Sequence, residues 1–269
     1  MESEILAAKT GNSKGFARKV MKKFAGNFRE KKVFVKPNIV SSEGYPTTTH
    51  PDVLKEVIES LLSMRCEVVV GDGPAVDAGN SDEIIRNHPL YEVCASCGVE
   101  LVNLHKKGFR KVKTQSGFSI RVSEVPMECE KIISLPVIKS HKWTVITGCL
   151  KNQFGFFQNR ERIMVHAGLK NMHRAIAEVN TMLGPDLCIA DMVESYRKNN
   201  EKRHGGIGIK PGYMLAGRDA VALDCKGFEI LKGFDRDLKA ESCSDIKHIK
   251  YACELGVGKT EWKESVIRI

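Results

Sequence analysis

No part of the sequence approaches the ~18 uninterrupted apolar residues of a spanning helix, which argues against a helical membrane protein. There is no Walker loop and no Gly-x-Gly-x-x-Gly after a strand, so the common nucleotide-binding assignments fall away. Nor is there a Cys-x2-Cys-x2-Cys-x3-Cys-Pro run, and no ferredoxin-type cluster is encoded in the chain. Cys94-x-x-Cys97 is the one close cysteine pair. A four-ligand site needs a second pair at comparable spacing, so this pair reads as structural and no metal is assigned. Met1-Glu2-Ser3-Glu4 carries acid where a secretory signal carries base, so no signal is expected. The expectation is a cytoplasmic protein whose nine cysteines are mostly reduced, buried apolar residues and not a disulfide framework.

What is present has the balance of a globular chain: 269 residues, 42% hydrophobic and 28% charged. Lys plus Arg exceed Asp plus Glu by 42 to 33, a formal net charge of +9. Such a charge suits an anionic partner, and nucleic acid, a phosphorylated metabolite or a carboxylate would each satisfy it. Residues 1–30 read as a basic helical segment with Lys14, Arg18, Lys19, Lys22 and Lys23, and Arg197 to Arg203 form a second basic stretch. A helical Lys/Arg face is usually just solvated and no nucleic-acid module is recognisable, so nucleic acid is the least favoured of these partners.

From residue 31, short β-rich runs alternate with helix-period segments, the pattern of a parallel sheet with crossover helices. Strands are expected at 32–35, 67–70, 99–104, 132–135, 187–190 and 213–216. Helices are expected at 51–61, 83–94, 169–183, 220–231 and 246–255, with a hairpin between Val112 and Val122. With no repeat and no low-complexity linker, residues 1–269 read as one α/β domain, a mostly parallel sheet with helices on both faces. The polar stretch from Glu194 to Lys210 is the candidate for a mobile lid.

The polar residues least like surface filler follow directly after strands, where ligands bind in open α/β sheets. Lys36 and Asn38 follow the first strand, Asp72 the second, Lys139 and His141 the 132–135 strand, Asp191 the 187–190 strand, and Arg218 and Asp219 the 213–216 strand. Lys139 to Asn152 is the densest constellation, and a helix beginning at Val145 would add its free N–H groups to the pull on an anion. The assigned catalytic set is His141, Lys139, Lys151 and Lys36: His is the natural proton carrier, and a Lys desolvated among cations becomes a usable base. Substrate contacts are assigned to Asn38, Asn152, Asp72, Thr147, His166 and Asp191. The bland alternative for the 139–152 segment is a basic surface loop, disfavoured because His141 and Trp143 are costly to place together in one. For His166 and for His50, a structural role competes with a functional one. Asp72 and Asp191 could equally cap their loops, and one carboxylate per loop is too few for a metal site.

Val35-Lys36-Pro37-Asn38, Thr48-Thr49-His50-Pro51, Val70-Gly71-Asp72-Gly73-Pro74, Ser134-Leu135-Pro136, Lys139-Ser140-His141, Thr147 to Asn152 and Ala216 to Asp224 occur in that order. Over about residues 31 to 258 the chain thereby resembles the domain-of-unknown-function family numbered 362. Many members look like fusions to an iron-sulfur ferredoxin module, which implies redox chemistry for some. Since no such module is read in this chain, the resemblance implies a separate ferredoxin-like partner. A more distant likeness of layout is to lactate racemase, whose first domain also has polar loops after parallel strands. The favoured expectation is an enzyme acting on a small anionic carboxylate or phosphate through a Lys/His pocket. The alternatives are a redox or cofactor-maturation protein with an iron-sulfur partner, and a basic nucleic-acid binder.

Overall fold

The computed structural model describes residues 3–269, so Met1 and Glu2 of the acidic start lie outside the described residues. The chain opens with β1 (Ser3–Lys9), α1 (Ser13–Phe24), β2 (Lys32–Pro37), α2 (Pro51–Ser63), β3 (Glu67–Asp72), α3 (Ser81–Asn87), α4 (Pro89–Ser96) and β4 (Leu101–Asn103). The hairpin of β5 (Phe109–Lys113) and β6 (Ser119–Ser123) follows, then β7 (Lys131–Leu135) and a short hairpin of β8 (Lys139–His141) and β9 (Val145–Thr147). Next come α5 (Cys149–Asn152), α6 (Asn159–His166), α7 (Met172–Leu183) and β10 (Leu187–Met192). The chain then forms the β11 (Ser195–Arg197) and β12 (Ile207–Ile209) hairpin, β13 (Tyr213–Gly217), α8 (Ala220–Lys232), α9 (Lys247–Glu254) and β14 (Trp262–Val266).

Eight strands make the main sheet in the order β14-β1-β13-β10-β7-β2-β3-β4. Every neighbouring pair is parallel except β13, which runs against both β10 and β1. This is the mostly parallel α/β architecture the alternating pattern implies. Period-two alternation sorts each strand between two cores: Val33 and Val35 pack with Phe16, Val20, Leu54 and Leu90 on one face, Phe34 with Leu150, Phe156, Ile176 and Val221 on the other. Helices α1 to α4 therefore cover one face, and α5, α7, α8 and α9 the opposite one.

Several expectations need correction. Residues 1–30 are not only helical: Ile5-Leu6-Ala7-Ala8 is a buried strand inside the sheet, a run too short to stand out beside the basic helix that follows. Because β13 is reversed, Arg218 and Asp219 emerge at the sheet edge opposite the other loops. There Asp219 caps α8 and accepts a hydrogen bond from Ser3 Oγ at 2.5 Å. Pro89 divides the expected 83–94 helix, since the residue before a proline, His88, is held extended. Val145-Ile146-Thr147 is a strand and not a helix start, as three β-branched residues prefer. The stretch from Glu194 to Lys210 carries the β11–β12 hairpin, and its tip is strapped by Arg203 and His204 to Asp77 at 3.1 Å each. Cys225 and Cys243 are bridged with Cα atoms 5.1 Å apart, where α8 meets the segment before α9, while seven cysteines are free. Their separation of 18 residues carries no sequence signal of that meeting. Among the described residues, no helix is long and apolar enough to cross a membrane.

Candidate functional site

Lys36 leaves β2 on the same face as Phe34 and is 1% exposed. An ammonium buried so deeply requires a counter-charge. Asp72, at the end of the adjacent β3, supplies it at 2.5 Å, and the Pro37 carbonyl accepts a second bond at 2.8 Å. The Asp72 carboxylate is in turn held by the N–H groups of Ile39 and Gly73, at 2.7 and 2.6 Å. Burial lowers the Lys36 pKa to about 8 against the attraction of Asp72. Gly155 crosses directly over this pair, where a Cβ would stand 2.2 Å from Asp72 Oδ1 and 2.6 Å from Lys36 Cε. Only glycine lets the chain pass so close.

The other wall comes from α5. Four residues do not make a stable helix alone. Here the fully buried Asp224 of α8 accepts the first free N–H groups, from Cys149 at 2.6 Å and Leu150 at 3.0 Å, and Asn180 Nδ2 donates to the Leu150 carbonyl at 2.9 Å. Fixed in this way, α5 presents Lys151 and Asn152. Asn152 Nδ2 donates to the Lys36 carbonyl at 3.2 Å and to Ser134 Oγ at 2.9 Å, so its orientation is determined and its buried Oδ1 is left without a donor. The half-buried Lys151 ammonium has no hydrogen-bond acceptor among the described residues, only the Phe154 ring 5.8 Å away. Burial, and then the neighbouring Arg162, bring its pKa to about 8.

Arg162 of α6 completes the arrangement. It is 3% exposed, its Nη1 and Nη2 donate to the Pro74 and Gly73 carbonyls at 2.6 and 2.8 Å, and its Nε is buried without an acceptor. Lys36, Asn38, Asp72, Thr147, Lys151, Asn152 and Arg162 together line a pit of about 80 Å³. Three cations face one carboxylate in it. The pit shares Val40, Ala75, Lys151, Phe154, Arg162 and Asn200 with a cleft of about 640 Å³ whose further walls include His141, Trp143, Ile163, His166, Glu201 and His204. Trp143 is 68% exposed there and Ile163 53%, so the cleft joins an apolar rim to a polar floor, the usual composition of a small-molecule site.

Six residues selected because they follow strands or sit in the 139–152 segment thus meet in the pit: Lys36, Asn38, Asp72, Thr147, Lys151 and Asn152. His141 and His166 line the adjoining cleft. Lys139 lines neither cavity. It is fully buried, and its ammonium donates to Asn38 Oδ1 at 3.2 Å and to the Thr47 carbonyl at 2.5 Å, with its pKa lowered to about 7 by burial. Asp191 lines neither cavity also; its carboxylate accepts from Tyr45 at 2.9 Å, Ser13 at 3.2 Å and the Val193 N–H at 2.8 Å. Arg162 was not among the candidates, because its polar surroundings Asn159-Arg160-Glu161 give no local sign that the 73–74 carbonyls hold its guanidinium in the interior. Among the described residues, no group of three or more His, Cys, Asp or Glu could hold a metal ion. Cys94 and Cys97 lie at the end of α4, away from both cavities.

A family model described as a domain of unknown function (DUF362) matches residues 33–229. A thylakoid-associated protein of Synechocystis sp. is 27% identical over 217 residues, covering 77% of this chain and 65% of its own. Among solved structures, the lactate racemase apoprotein from Thermoanaerobacterium thermosaccharolyticum overlays with a TM-score of 0.51 at 12% identity, over 86% of this chain and 57% of that one. At that identity the likeness is one of fold. The chain spans less than two thirds of the length of either protein.

Proposed function

The chain belongs to the DUF362 family, and from that premise we propose that it is a cytoplasmic enzyme acting on a small anionic substrate, carboxylate or phosphate, whose charged group enters the pit. The observation that carries this reading is the unpartnered Lys151 ammonium, which lines the pit and the cleft above it together with the Arg162 guanidinium. An ammonium that opens on a cavity without an acceptor from the protein is a ready partner for an anion, and its bond to one is charge-assisted. Charge elsewhere favours a small ligand over nucleic acid. In the basic N-terminal third, Arg18, Lys23, Lys31 and Lys32 are paired with Glu56, Glu4, Glu130 and Glu67, which leaves less of a continuous basic stripe.

Calorimetric titration with inorganic phosphate and with pyruvate tests the proposal. We expect binding of at least one, weakened tenfold or more in Lys151→Ala, since a charge-assisted bond to a buried anion contributes about 1.5–3 kcal/mol. Absence of binding by both anions at millimolar concentration, or equal affinity in Lys151→Ala, would reject it.

A further inference from the structure

His141 and His166 both line the cleft, and their inner nitrogens are engaged in opposite senses. His141 Nδ1 is approached by the backbone N–H of Trp143 at 3.1 Å and of Thr144 at 3.3 Å. An amide N–H only donates, so this nitrogen holds a lone pair, and in the neutral ring the proton resides on Nε2. Burial, and then Lys151, push the pKa of this ring well below its usual value, which keeps it neutral. His166 Nδ1 lies 2.8 Å from the Arg162 carbonyl. A carbonyl only accepts, so this nitrogen carries the proton, and the neutral form of the ring has its lone pair on Nε2. Neither Nε2 has a hydrogen-bond partner among the described residues, and neither is among the polar atoms buried without one. With both rings neutral, the cleft therefore holds one histidine that presents an N–H and one that presents a lone pair, and it shares Lys151 and Arg162 with the cationic pit.

Building on the anion-binding reading above, we propose that His166 is the proton acceptor and His141 the hydrogen-bond donor for an enolisable carbonyl compound bearing a carboxylate or phosphate. The anionic group sits in the pit with Lys151 and Arg162. The C–H bond next to the carbonyl breaks, its proton passes to His166 Nε2, and the electron pair forms the C=C bond of an enolate. The carbonyl oxygen takes the negative charge and accepts the His141 Nε2–H bond. Return of the proton from His166 to the carbon closes the cycle without any redox partner. This arrangement reverses the expectation from sequence that His141 is the proton carrier. A ring whose inner nitrogen is committed to accepting two N–H groups, and which is held neutral, is suited to polarising an oxygen.

Two measurements on the full chain decide it. In long-range ¹⁵N–¹H spectra of histidine-labelled protein at neutral pH, the signals lost in His166→Gln should belong to an Nδ1–H tautomer and those lost in His141→Gln to an Nε2–H tautomer. The opposite pattern at either residue overturns the assignment of roles, and it does so even if phosphate and pyruvate bind. In ²H₂O, the protein should exchange the carbon-bound protons of pyruvate or of dihydroxyacetone phosphate, and the preferred probe tells carboxylate from phosphate. We expect His166→Gln to slow that exchange at least tenfold while affinity for the anion stays within twofold. Exchange of neither probe, or exchange unchanged in His166→Gln, overturns the proposed chemistry. Loss of all anion binding in the wild-type chain would instead reject the reading on which it rests.

Discussion

Lys36 and Asp72 form an ion pair with side chains 1% and 3% exposed, too deep for water to screen either charge. Removing one partner of such a pair strands the other. Asp72→Asn should therefore cost about 3 kcal/mol in urea unfolding, and the double variant Lys36→Met/Asp72→Asn should recover more than half of it. A double variant no more stable than the single one would mean that the pair's surroundings, not its charges, carry the effect. The same two residues show what could be read in advance at this scale. Lys36, Asn38, Asp72, Thr147, Lys151 and Asn152 were found by their place after strands and in one dense segment. That rule is indifferent to where a loop turns next, which is why it also selected Asp191, whose carboxylate turns to Tyr45 and Ser13. It selected Lys139 too, whose ammonium braces Asn38 from behind the pit wall. Arg162 needs a contact between residues 88 positions apart to become buried, and nothing local announces that.

Among the elements, α5 depends most on its neighbours. It is a single turn whose N–H groups are taken by a carboxylate from α8, and Gly148 leaves no room for anything larger, since a Cβ there would lie 2.2 Å from Asp224 Oδ1. Asp224→Asn keeps the shape but offers one oxygen where two were used, and turns an amide N–H toward a backbone N–H. We expect a loss of about 1–3 kcal/mol in urea unfolding, together with weaker phosphate or pyruvate binding in calorimetry, because Lys151 and Asn152 ride on this turn. Unchanged affinity with lowered stability would separate α5 from the site. The sequence displayed the long elements well, since Pro51 with Val53, Leu54, Val57, Ile58 and Leu61 spells out α2. It did not display the 139–152 segment as a hairpin followed by one turn. That segment mixes β-branched residues with glycine and lysine, and its shape is settled by Asp224, 72 positions beyond Asn152 in the chain.

For the whole molecule, the parallel sheet was legible from its alternation of strands and helices, but not the reversal of β13 or the insertion of β1. Strand direction depends on which edge a connection returns to, and the residues of a strand look the same either way. Three lysines enclosed by this fold shape its dependence on pH. Lys139 is lowered to about 7 and Lys36 and Lys151 to about 8, from an ordinary 10.5, each chiefly by burial. Between its folded and unfolded values such a lysine binds fewer protons in the native state, so stability rises with pH across that window. Asp224, raised by burial from 3.8 to about 7, opposes them only up to about pH 7, and the remaining opposing groups act later. Burial raises the Cys94 and Cys129 thiols to about 12 and 11 from 9.0, so they stay protonated in the native state while their unfolded counterparts ionise, and stability falls as pH passes upward through that range. The thermal midpoint should accordingly climb from pH 7 to a maximum at about pH 9 and then decline. Lys139→Met removes the group with the widest window and lines neither cavity, so it should flatten the climb while leaving the alkaline decline in place. A midpoint that falls between pH 7 and about 8.5, or a climb of the same slope in Lys139→Met, would show that these ammonium groups are better hydrated than their burial implies.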